Sequence, residues 1–130
     1  MRACLVVALL LFAVTVHAEH IQWQSDYEAA RQKAQKEDKG LLVLLFRSPS
    51  EVSQTLIQRS LQEQSYIAYL NRHYVAVIVF ADQQRSYPIE LLYTLEYPAL
   101  FFLDAHEIFT HDALSGEITP EHLHRHLGVP

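Results

Sequence analysis

The chain has 130 residues with a formal net charge of −5, 19% charged residues and 50% hydrophobic ones. That is one domain with enough apolar residues for a core, and the acidic balance without a basic cluster excludes nucleic acid as the expected partner. The single cysteine, Cys4, stands at the extreme N-terminus, so everything after it lacks thiols.

Arg2 followed by the apolar run 3–16, broken by Thr15, and by Val16-His17-Ala18 reads as a secretory signal with a cleavage site after Ala18. The run is shorter than the about 20 apolar residues of a spanning helix, so no stable membrane anchor is expected after cleavage. The expected division is therefore 1–18 as signal peptide and 19–130 as the domain, whose charge becomes −6 once Arg2 is removed. Export leads to an oxidising compartment that permits disulfides; without cysteines this domain must rely on packing.

Ser25-Asp26-Tyr27-Glu28 fits a capping box with Ser25 as N-cap and Glu28 at N3. Ala29, Ala30 and Ala34 extend that helix to near Lys39, with Gly40 at the C-cap. The run 41–46 (LLVLLF) predicts a strand buried on both faces. Beyond Ser50, the spacing of Val52, Leu56, Ile57 and Leu61 is helical. Ser65 is expected to cap another short helix, with Ile67 and Leu70 inward. The segment 74–80 (YVAVIVF) predicts a second buried strand.

Pro88 is expected to open a short helix carrying Leu91, Leu92 and Leu95, followed by a third strand over 99–103. A turn at Asp104-Ala105-His106-Glu107 leads to a fourth strand over 108–111. Thr119-Pro120 has the N-cap and N1 pattern of a last helix with Leu123 and Leu127 on its buried stripe. Most tyrosines should be half-buried with the hydroxyl at the surface, Tyr66 and Tyr69 at a helix edge. Strands alternating with helices imply an α/β fold with parallel pairing through crossovers and an antiparallel C-terminal hairpin.

This order resembles the thioredoxin fold over roughly residues 21–128, as a three-layer α/β/α sandwich with a mixed sheet of about four strands. In that family the first central strand runs into Cys-x-x-Cys at a helix start; here Arg47-Ser48-Pro49 leads into Ser50-Glu51-Val52-Ser53, so Ser50 and Ser53 take the cysteine positions. The stretch from Tyr93 to Asp104, with Tyr97-Pro98, resembles the family's X-Pro segment, which implies a cis bond facing Ser50. Gly116 before Thr119-Pro120-Glu121 resembles the approach to the last helix, and the Trp23 to Gly40 opening is similar to small exported bacterial thioredoxin-like proteins. Leu44 stands where many thioredoxins carry a buried acid, and His106-Glu107 where glycine is common.

Thiol–disulfide exchange needs a thiolate, which serine cannot supply. Ser50 is suited to capping a helix. As a hydrolytic nucleophile it would need a neighbouring base, and no G-x-S-x-G elbow or adjacent histidine provides one. The expectation is a periplasmic, redox-inactive, non-enzymatic domain without cofactor. Its binding surface would be Ser50, Glu51, Val52, Ser53, Tyr97 and Pro98, and its partner an exported polypeptide or one dedicated protein. The alternative is a metal-binding protein: His122 and His126 lie one turn apart on a helix, with His111 a possible third ligand. Against it, His122, His124 and His126 also suit a polar face opposite Leu123 and Leu127, and a structural zinc site normally takes four ligands.

Overall fold

A computed structural model describes residues 20–50, 55, 64–83, 87–116 and 118–127. The expected signal segment 1–18, the helix expected after Ser50, and the site residues Glu51, Val52 and Ser53 lie outside the described residues.

The elements are β1 (Trp23–Gln24), α1 (Tyr27–Glu37), β2 (Gly40–Phe46), α2 (Gln64–His73), β3 (Tyr74–Phe80), β4 (Ala99–Leu103), β5 (Phe109–Ser115) and α3 (Pro120–Leu127). The sheet has five strands in the order β1-β3-β2-β4-β5. β1 and β2 run parallel to β3; β4 is antiparallel to β2, and β5 to β4. The strand beyond the expected four is β1, whose Trp23 and Gln24 pair with Ala76 and Val77. Two residues carry no periodicity, so nothing local marks them as a strand.

Side-chain alternation along each strand divides the core into two halves. Leu41, Val43 and Leu45 of β2, with Val75, Val77 and Val79 of β3, pack against Tyr27, Ala30 and Ala34 of α1. Leu42, Leu44 and Phe46 face the other way, joined by Leu100 and Phe102, against Tyr66, Ile67 and Leu70 of α2 and Leu123 of α3. β2 lies at the centre, and each of its buried leucines contributes about 1.5–3 kcal/mol by leaving water. The continuous apolar run was the signature of this two-sided burial.

Several boundaries differ from expectation for identifiable reasons. Asp26, not Ser25, is the N-cap of α1: its backbone is extended and its carboxylate accepts from Ala29 N–H at 2.9 Å. A negative charge suits the helix N-terminus, and Glu28 turns instead to Arg31 and Gln32, so no capping box forms. The left-handed C-cap is Asp38, with φ 54°, and the helix ends at Glu37. Gly40 already belongs to β2, where a Cβ would sit 2.4 Å from the Leu103 carbonyl oxygen. Its absence of a side chain allows close approach of β4, not a helix stop.

α2 starts at Gln64, ahead of Ser65, as the apolar stripe of Tyr66, Ile67 and Leu70 sets the helical register. Tyr66 is wholly buried in that stripe, not at a helix edge. Pro88 opens a single turn, not a helix: Leu91 and Leu92 N–H groups both donate to its carbonyl. Thr94 then bonds the Glu96 backbone through both N–H and C=O, and such local bonds compete with helix. Leu92 is buried while Leu95 is 82% exposed, so no apolar stripe continues past the turn. The hairpin turn is held by Asp104, whose carboxylate accepts from His106 and Ile108 N–H, and Glu107 takes the left-handed conformation with φ 64°. The last strand begins at Phe109 rather than 108 and runs on to Ser115, because Leu114 and Ser115 pair with Leu100 and Ala99 of β4; its register shifts on both sides of Phe102. Thr119 caps α3, accepting from His122 N–H at 3.2 Å.

Candidate functional site

The antiparallel register that pairs Leu45 with Ala99 carries on, beyond the strand ends, towards Arg47 and Tyr97. The Arg47 guanidinium lies 5.2 Å from the centre of the Tyr97 ring. At an exposed site such a cation–π contact is worth about 0.5–1 kcal/mol. The ladder between β2 and β3 also extends outward, with Ala81 N–H donating to Phe46 and Asp82 N–H to Arg47. Below, the Phe46 and Phe80 rings stack with centres 5.7 Å apart. This end of the sheet is therefore a firm platform from which Arg47, Ser48, Pro49 and Ser50 emerge.

Ser50 is exposed, and Tyr97 and Pro98 are half-buried. The Tyr97–Pro98 peptide is cis. The Pro98 carbonyl is occupied by Gly116 N–H at 2.9 Å, whereas the Tyr97 backbone N–H and C=O pair with no described residue. The Tyr97 ring rests against the α1-side core together with Tyr87, Leu91 and Ala81. Burial, and secondarily the nearby Tyr97, pushes the Tyr87 hydroxyl above its ordinary range. Of the residues expected here, Tyr97 and Pro98 share this end of the sheet with Ser50. Arg47 and Tyr87 were not singled out from the sequence; Arg47 had only its place directly after an apolar run as a signal.

Leu44 is fully buried. Among the described residues this end of the sheet presents a guanidinium, phenols, a serine hydroxyl and backbone amides. These groups can bind and orient a polypeptide.

The histidines form a second feature on the opposite face of the sheet. The rings of His111 on β5 and His126 on α3 have centres 5.8 Å apart, and both pack on Phe102, at 5.5 and 5.4 Å. His122 lines the same groove as His111, Arg125 and His126. The ring that meets His126 is thus the strand residue His111. Among the described residues, no group of three or more His, Cys, Asp or Glu is arranged to hold a metal ion.

A five-stranded mixed sheet flanked by helices, with an X-Pro turn beside the end of its central strand, defines an α/β protein of thioredoxin-like architecture. The chain belongs to the thioredoxin-like family, whose profile matches residues 22–105. A solved structure titled DsbH Oxidoreductase is similar in fold, with a TM-score of 0.62 at 14% identity, covering 93% of this chain and 94% of that one. No curated protein matches the chain. Among the described residues no helix is long and apolar enough to cross a membrane.

Proposed function

We propose that this protein is a redox-inactive, exported thioredoxin-like domain that binds an extended segment of another polypeptide. The binding surface comprises Arg47, Ser50, Tyr97 and Pro98, with Glu51, Val52 and Ser53 added from the sequence. The observation that carries this reading is the Tyr97 backbone, whose N–H and C=O have no partner among the described residues beside the Arg47–Tyr97 contact. Backbone groups with no partner among the described residues, next to an aromatic ring, suit main-chain recognition, in which hydrogen bonds to an extended peptide supply affinity.

The lack of any cysteine after Cys4 removes the thiolate that exchange chemistry requires. The apolar, Arg2-led N-terminus supports export, and the periplasm is the proposed location. The partner is an exported polypeptide or one dedicated protein.

The test is a nuclear magnetic resonance titration with an unstructured, cysteine-free peptide library. Resonances of Arg47, Ser50 and Tyr97 should shift together, and Arg47→Ala should weaken the response. Shifts confined to other faces of the sheet would overturn the assignment of this surface.

A further inference from the structure

We propose that His111 and His126 form a two-histidine site for a divalent transition cation of the zinc or copper type, bridging β5 to α3. The inference rests on how each ring is held. The His126 Nε2 meets the Asp112 backbone carbonyl, which can only accept, so this nitrogen carries the proton. Its Nδ1 is left with a lone pair and has no bond to a described residue. The Thr110 hydroxyl reaches the Phe102 carbonyl at 3.4 Å and His111 Nδ1 at 3.1 Å; with its own proton on Phe102, its oxygen accepts from His111 Nδ1–H. The lone pair of His111 then resides on Nε2, which likewise has no bond to a described residue. The Tyr74 hydroxyl also reaches Thr110, at 3.3 Å, and fixes that threonine further.

Each ring thus has one nitrogen engaged by a protein oxygen and the other left with its lone pair, the division of roles seen in metal-ligating histidines. The spacing agrees. Two imidazoles sharing a tetrahedral Zn²⁺ at about 2.0–2.1 Å bring their ring centres to about 5 Å. The observed 5.8 Å is close to that separation. Phe102 beneath both rings supplies an apolar floor that limits their tilt. Two protein ligands leave the remaining positions to water, so the site is open, not a closed structural centre.

This assignment differs from the helical pair His122 and His126 suggested by spacing. It is independent of the peptide-binding reading, which concerns the end of the sheet.

Calorimetric titration of the untagged, purified chain with zinc chloride tests it. One zinc ion should bind reversibly, a chelator should remove it, and Cu²⁺ should bind tighter than Zn²⁺. His111→Ala should weaken zinc binding by about tenfold or more, and Thr110→Val, which removes only the outer contact, by about tenfold. His126→Phe keeps a ring on Phe102 and should abolish the site, so loss of binding is separable from loss of packing. His122→Ala should leave the affinity unchanged. Retention of binding in His111→Ala with loss in His122→Ala would overturn the proposal in favour of the helical pair. Absence of zinc binding to the folded wild-type chain would overturn it outright.

Discussion

The Tyr27 hydroxyl donates to Glu107 Oε2 at 2.8 Å, so the first residue of α1 is tied to the β4–β5 turn across 80 positions of chain. Glu107 also faces Arg31 at 3.9 Å, one turn along the same helix. The turn residue in the left-handed conformation is therefore held from outside by a helix that precedes β2 to β5 in the chain.

This bond yields a pH prediction. Burial first, then the hydrogen bond and charge of Glu107, push the Tyr27 hydroxyl far above its ordinary value. A group whose ionisation is raised on folding contributes stability that is complete below its unfolded value, about 10 for tyrosine, and is lost as pH rises above it. Stability should fall from about pH 10 upward. Tyr27→Phe should be less stable at neutral pH by about 0.5–1.5 kcal/mol and show a shallower alkaline decline. Tyr74 and Tyr87 are raised as well, so part of the decline should persist. Chemical denaturation at pH 7 and in the alkaline range measures both effects.

Leu44→Asp should be strongly destabilising. Leu44 is fully exposed to neighbours and not at all to solvent, between Ile78 of β3 and Leu100 of β4 in the sheet. A carboxyl placed there lacks a cationic partner among the buried residues of that core half. The expected loss is on the order of 4 kcal/mol, with the carboxyl protonated in any folded fraction. An unchanged denaturation midpoint would contradict the burial of this strand.

Gly40→Ala should cost about 1–3 kcal/mol through overpacking. The new methyl would meet the Leu103 carbonyl oxygen at 2.4 Å and the Tyr74 ring at 2.8 Å, both in neighbouring strands. Thermal melting should show the loss, and amide exchange should rise at the Leu41–Leu103 pairing. Equal stability to wild type would mean that β4 can retreat without cost.

The double substitution Ser50→Cys and Ser53→Cys tests the alignment that gave the serines their meaning. If the two positions start a helix as in the family, their Cβ atoms fall within the about 3.5–4.5 Å that a disulfide requires. Mild oxidation should then give an intramolecular bridge, seen as a mass resistant to alkylation. The wild-type chain should not reduce insulin, and the double variant only weakly, since Leu44 offers no proton relay. A folded double variant that forms only intermolecular dimers would remove that alignment.

What could be read from the sequence follows from how local each signal is. The runs 41–46 and 74–80 announced strands because two-sided burial needs an unbroken apolar stretch. The family resemblance placed Tyr97 and Pro98 near Ser50. Asp26 and Ser25 are adjacent, equally eligible caps, and only backbone geometry separates them. Leu91, Leu92 and Leu95 have helical spacing, but the Thr94–Glu96 bonds redirect the chain. The Arg47–Tyr97 contact and the His111–His126 pairing each join residues from separate elements, so no periodicity reports them.

The ends of the sheet bear on how this chain behaves among its own copies. A strand edge with a row of open backbone groups is a template on which another chain can add. Here one border is β1, only two residues long. The other is β5, whose pairing with β4 is irregular on both sides of Phe102. Among the described residues, the short border and the kinked one each offer a poorer template than a long, regular strand would. The long apolar strands β2, β3 and β4 thus lie inside the sheet, and its borders are the short β1 and the irregular β5.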